Sequence, residues 1–156
     1  MRRLCLALIL ALITLGCGPE PGTPEEQIRD LIDGLEAGAE AGEIDPFQAA
    51  LAASFRSDSG LDRDDVLNRI RLYLLQHQRL HLITRVESID VAGADLASAT
   101  VLLGTAARPI DSAEVLTGYR AGVYRIGVEL ERAGGQWRAH YARWERVSAT
   151  ALIQLM

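Results

Sequence analysis

Three histidines, four tyrosines and two tryptophans are the side chains in this sequence best suited to acid–base chemistry or to orienting a ligand. His77 and His81 stand four apart, and on a continuous helix they would share one face, as metal-ligand pairs do. No third ligand follows at a useful spacing, and the hydrophobic period changes near residue 80. A surface pair at a helix end is therefore the simpler reading, and no metal set is assigned. His140 lies between Trp137 and Trp144 in a segment of strand character. Strict alternation puts Arg138, His140, Ala142 and Trp144 on one face and Trp137, Ala139, Tyr141 and Arg143 on the other. A neutral imidazole in a pocket could serve as acid or base near neutral pH, but a hydrogen-bonded structural role is the plainer expectation. Tyr73 and Tyr124, like Tyr119 and Tyr141, read as core or rim positions whose hydroxyls could orient a ligand. The pocket candidates are thus Tyr73, His77, Tyr124, His140 and Trp144. Arg132, Arg138, Arg143 and Arg146 could meet an anionic ligand or a lipid headgroup. Interleaved with Glu129, Glu131 and Glu145, they read more simply as a solvated, salt-bridging face.

What is missing narrows the chemistry. The sequence has no P-loop, no glycine-rich dinucleotide fingerprint, no G-x-S-x-G elbow and no zinc-protease motif. Neither a catalytic residue nor a cofactor site is assigned. The two cysteines are Cys5 and Cys17. Met1-Arg2-Arg3 is a short cationic start. The apolar run that follows, residues 4–15, is shorter than the ~20 residues a spanning helix needs. Together they read as a secretory signal. Ile13-Thr14-Leu15-Gly16-Cys17 resembles the lipobox of bacterial lipoproteins, although Thr14 stands where leucine is most usual. That resemblance implies diacylation of the Cys17 thiol and cleavage before it. Residues 1–16 would be the signal peptide. Residues 17–23, rich in Pro and Gly, would be a tether. The expected location is the cell envelope, lipid-anchored, with Gly18 favouring the outer membrane facing the periplasm in a Gram-negative host. Loss of Cys5 with the signal and lipidation of Cys17 would leave no thiol for a disulfide or a metal site.

The 156 residues suggest one domain. The formal net charge of −5 becomes two units more negative once Arg2 and Arg3 leave with the signal. Every basic residue is arginine. Acids concentrate before residue 66 and arginines after it, a division that suits complementary packing. Without a concentrated basic surface, the chain is a poor match to a nucleic-acid binder.

The elements that must carry these side chains are well signalled. Thr23, Pro24 and Glu26 form a capping box with proline at the first helical position. Ile28, Leu31, Ile32 and Leu35 then mark one face of a helix. Asp45-Pro46 starts a second helix whose apolar face is Phe47, Ala50, Leu51 and Phe55. Asp62 caps a third, with Asp64 and Asp65 at the positive end of its dipole and a stripe of Val66, Leu67, Ile70, Leu74 and Leu75. Beyond residue 80 the period becomes two. Strands are expected over 82–91, 96–106, 116–132 and 137–147, with turns at 92–95 and 133–136 and a loop over 108–114. Residues 148–156 form an apolar tail without an assigned role.

Three helices followed by an antiparallel meander make an α+β order. It resembles the NTF2-like, or SnoaL-like, superfamily in three stretches. These are Glu25-Glu26-Gln27-Ile28-Arg29-Asp30-Leu31, Leu61-Asp62-Arg63-Asp64-Asp65-Val66-Leu67, and the closing hairpin from Val128 to Arg138, whose last strand opens on Trp137. The resemblance covers residues 24–147. It implies an NTF2-like cone of three N-terminal helices packed on a curved antiparallel sheet, often around an apolar pocket. Enzymes, adaptors and binding modules all use such a scaffold, so fold does not settle function. The leading expectation is a non-catalytic envelope lipoprotein that binds a small apolar ligand or a partner protein, with homodimer formation open. The alternatives are an isomerase, dehydratase or cyclase acting on a small hydrophobic substrate, and a structural subunit of an envelope assembly.

Overall fold

The computed structural model describes residues 22–77, 80–106, 122–148 and 150–151. The expected signal peptide and most of the tether and tail therefore lie outside the described residues, as do the 108–114 loop and Tyr119. No helix among the described residues is long and apolar enough to cross a membrane.

Helix α1 (Pro24–Ala41) begins as its sequence dictates. The Thr23 hydroxyl accepts the Glu26 N–H at 3.2 Å, and the Glu26 carboxylate accepts the Thr23 N–H at 2.8 Å. These two bonds satisfy donors that a helix start leaves open. Gly42 ends the helix in the left-handed region at φ +73°, where glycine carries no Cβ penalty. Gly38 has a different reason to be glycine. A Cβ there would stand 2.7 Å from Cγ of Pro46, so the site is where α1 touches α2 (Asp45–Ala50).

The chain then departs from the expected second helix. The helix stops at Ala50, Leu51 turns extended, and β1 (Leu51–Ser57) carries Phe55 as a strand residue. Phe47, Ala50, Leu51 and Phe55 do fit a helical spacing, but a short apolar run fits either element. The bulge between Leu51 and Arg56 hides the strand's period of two. Helix α3 (Arg63–Gln76) follows, and its first residue ties the junction together. The Arg63 guanidinium donates to the carbonyls of Gln48 at 2.8 Å and Leu51 at 3.2 Å. A second capping box, between Asp62 and Asp65, starts α3. Its stripe is narrower than the sequence suggests. Leu67 and Leu74 are buried, but Leu75 is 70% exposed.

Four long strands complete the domain: β2 (His81–Ala92), β3 (Leu96–Ala106), β4 (Gly122–Ala133) and β5 (Gln136–Val147). The described part of the expected 116–132 strand is β4. The sheet order is β1-β5-β4-β3-β2. The sheet is mixed rather than antiparallel throughout, because β1 pairs parallel to β5 while the others form an antiparallel meander. A strand returning through the α3 connection can lie parallel to a distant partner, whereas hairpin neighbours must be antiparallel.

The helices cover one face of the sheet. Ile28 of α1, fully buried, packs with Phe55, Ala97, Ala99, Leu130 and Trp137. Glu36 and Glu40, one turn apart on α1, bind the edge strand β2. Glu36 accepts the Thr84 hydroxyl, and Glu40 accepts the Leu82 N–H at 3.1 Å.

A bulge corrects the expected faces of β5. Tyr141 pairs with Glu129 and Ala139 with Leu130, leaving His140 as the extra residue. One inserted residue reverses the facing of all that follows. Ala139 and Ala142 therefore lie on the same, helix-facing side, together with Trp144. Strict alternation had divided them.

Candidate functional site

Between the three helices and the sheet lies a cavity of about 370 Å³, within the range of about 300–1,000 Å³ common for small-molecule sites. Leu31 and Leu35 of α1 and Phe47 of α2 form one wall; Ile126 and Val128 of β4 form the opposite one. The reason is sequence order. Leu31 and Leu35 are one helical turn apart, and Ile126 and Val128 are two apart on a strand, so each pair points one way. The small residues Ala50, Ala139 and Ala142 leave the space that larger side chains would fill. Its lining contains no Asp, Glu, His or Tyr among the described residues.

Two of the lining residues are exposed. Trp144 is 38% exposed and stands beyond the last β1–β5 pair, Ser57 with Ala142, where β1 no longer flanks β5. Arg69 of α3 is exposed yet lines the cavity. Both are exposed lining residues, so at each of them the cavity lining meets solvent.

Of the five pocket candidates, Trp144 lines this cavity and the other four do not. Tyr73 and His77 are stacked on each other at the end of α3, with ring centroids 4.2 Å apart, and His77 Nδ1 lies 2.9 Å from the Tyr73 carbonyl. The helix ends at Gln76, and His81 opens β2 instead, 3.9 Å from Glu40. The two histidines are therefore not one turn apart on a helix, and no group of three metal-ligating side chains occurs among the described residues. Nearby Leu72 and Leu75 are exposed. Tyr124 is half-buried on β4. His140, at the bulge, reaches Glu129 at 3.5 Å on the outer face, and its Nδ1 is buried with no hydrogen-bond partner.

The outer face of the sheet is polar where the inner one is apolar. Arg125 donates to both oxygens of Glu87, at 2.8 and 3.1 Å, and to Glu145 at 3.3 Å. The hydrogen bonds from Arg125 hold the Glu87 carboxyl below its ordinary pKa, and Glu87 and Glu145 together raise that of the Arg125 guanidinium. Glu87 is itself a bulge residue, inserted between Val86 and Ser88. Arg143 lies across Gly127, where a Cβ would meet its Nε at 3.0 Å.

Sequence reasoning missed both Arg69 as a lining residue and the bulge at His140. The only available signal was indirect: Arg69 sits between Val66 and Ile70 on the apolar flank of α3.

With this geometry in place, the fold can be set beside known ones. No family model matches the chain, and no curated protein matches it in sequence. Solved structures do match. An NTF2-like protein of unknown function from Pseudomonas putida shares 21% identity over 78% of this chain and 84% of its own, with a TM-score of 0.58. A second NTF2-like protein of unknown function, from Silicibacter pomeroyi, aligns over 81% of this chain and all of its own at 11% identity and a TM-score of 0.59. A protein with a cystatin-like fold from Caulobacter vibrioides aligns over 85% of this chain and 96% of its own at 14% identity and a TM-score of 0.60. The architecture is thus of the NTF2-like, cystatin-like kind. At such identities the likeness is one of fold, and function has to be argued from the site.

Proposed function

We propose that this is a lipid-anchored envelope protein whose domain binds a small apolar molecule without transforming it. The observation that carries the binding is the cavity of about 370 Å³ with apolar walls and no carboxylate, imidazole or phenol among its described lining residues. Acid–base chemistry needs such a group within hydrogen-bond reach of the reacting proton. The anchoring half rests on the sequence: a cationic start, a short apolar run, Cys17 after Gly16, and a Pro/Gly stretch ahead of a capped helix.

Titration of the full chain with an environment-sensitive apolar fluorophore tests the binding. Saturable one-to-one binding is expected. Val128→Phe, which pushes a ring into the cavity from a half-buried position, should abolish it while leaving a cooperative unfolding transition. Binding that does not saturate, or that Val128→Phe leaves intact, overturns the reading. Palmitate labelling in a bacterial host tests the anchor. Cys17→Ser should lose both the label and the membrane association, and label retained by that variant would exclude Cys17 as the lipidated residue.

A further inference from the structure

We propose that the cavity's ligand is an amphipathic anion, with its apolar body between the helices and the sheet and a carboxylate or phosphate head at Arg69. This rests on the reading of the cavity as a ligand site and adds the chemistry of its occupant.

Arg69 is the one charged residue among the described lining of the cavity. Its position suits a head-group contact, because an arginine can lay its aliphatic stem along an apolar wall while the guanidinium stays at the water. It is also uncommitted among the described residues. Arg69 makes no ion pair with another described residue. The carboxylates of its own helix are engaged elsewhere: Asp62 and Asp65 in the capping box, Asp64 beside Arg63 at 3.8 Å. The nearby Arg71, by contrast, is bonded to Asn68 at 2.9 Å. A planar guanidinium with free donors suits carboxylate and phosphate alike, through paired hydrogen bonds. The same placement disfavours a cationic head, and a neutral ligand would leave the donors to water. Trp144, the other exposed lining residue, is an aromatic wall in part open to water, a type of side chain suited to the junction between an apolar body and a polar head.

Calorimetric titration of the full chain with octanoate, octyl phosphate, octanol and octyltrimethylammonium, each below its micelle concentration, separates head from body. The anionic probes should bind about tenfold tighter than octanol, and the cationic probe weaker than octanol. Added salt should shrink the preference, since Arg69 is exposed. Arg69→Gln should remove the preference, bringing both anions to the affinity of octanol for the same variant; Arg69→Lys should keep part of it. The tighter of the two anions identifies the head. Equal binding of octanol and both anions, or a preference that survives Arg69→Gln, overturns the head-group assignment and leaves the apolar site standing. Failure of every probe, octanol included, removes the site itself.

Discussion

The two faces of the sheet solve different problems with neighbouring residues of the same strands. On β4, Ile126 and Val128 face the helices and wall an apolar cavity, while Arg125 points the other way into an ion network with Glu87 and Glu145. The inner face is held by burial, which is non-directional and tolerates a gap as long as enough apolar area leaves water. The outer face is held by directed pairs at the surface, which contribute little each and are screened by salt. The apolar cavity lies on the first face, while the recess of about 340 Å³ on the second is walled by Arg125, Arg143 and Glu145. An apolar ligand therefore suits the helix side.

Breaking the division itself should have the largest effect. Insertion of one alanine between Ala142 and Arg143 adds a residue to β5 where it pairs regularly with β4. The residues after it would have to exchange sides, carrying Arg143 and Glu145 toward the apolar core, where unpaired charge is costly. The expected result is loss of a cooperative urea transition, and a variant that unfolds cooperatively at the normal midpoint would mean that the register of β5 does not set the faces. Next in size is the inner face. Phe55 is 1% exposed and sits in both the core cluster and the cavity wall. Phe55→Ala should cost about 3–5 kcal/mol by denaturant titration, and a loss near zero would show that this wall is not packed as described.

The smallest effect belongs to the outer face. Glu87→Gln removes the acceptor charge facing Arg125, and the loss of stability should be slight and should shrink further in high salt. Its pH dependence has a definite sign. The folded carboxyl of Glu87 is held below its ordinary value of 4.5. The contribution is therefore fully present above that value and is lost as pH falls through the depressed folded one. The difference between wild type and Glu87→Gln should accordingly be constant at neutral pH and close in strong acid. A difference that instead grows on acidification would contradict the ion pair.

Much of the scaffold was legible because its signals are local. Thr23 with Glu26, and Asp62 with Asp65, cap helices through atoms three residues apart, so the sequence window that encodes the cap also contains its partner. The hairpins β2–β3 and β4–β5 turn where glycines fall between alternating runs. The strand β1 was not legible. Its apolar residues are spaced for either element, and what holds it extended is β5, which lies more than eighty residues further along the chain. Of the exposed cavity-lining residues, Trp144 could be named from its type, but Arg69 could not, because an arginine on a helix flank looks solvated until the opposing wall is in place.

The sequence by itself therefore determined where the helices start, the two helix caps, the meander and the expectation of a lipid on Cys17, since each depends on neighbours within a few positions. The tertiary structure alone decided that the sheet is mixed, that a single extra residue at His140 aligns Ala139 with Ala142, and that the exposed Arg69 lines an apolar cavity. Those facts depend on register and on pairs far apart in the chain. Register is an energetic compromise over whole strands, and no short window of residues contains it.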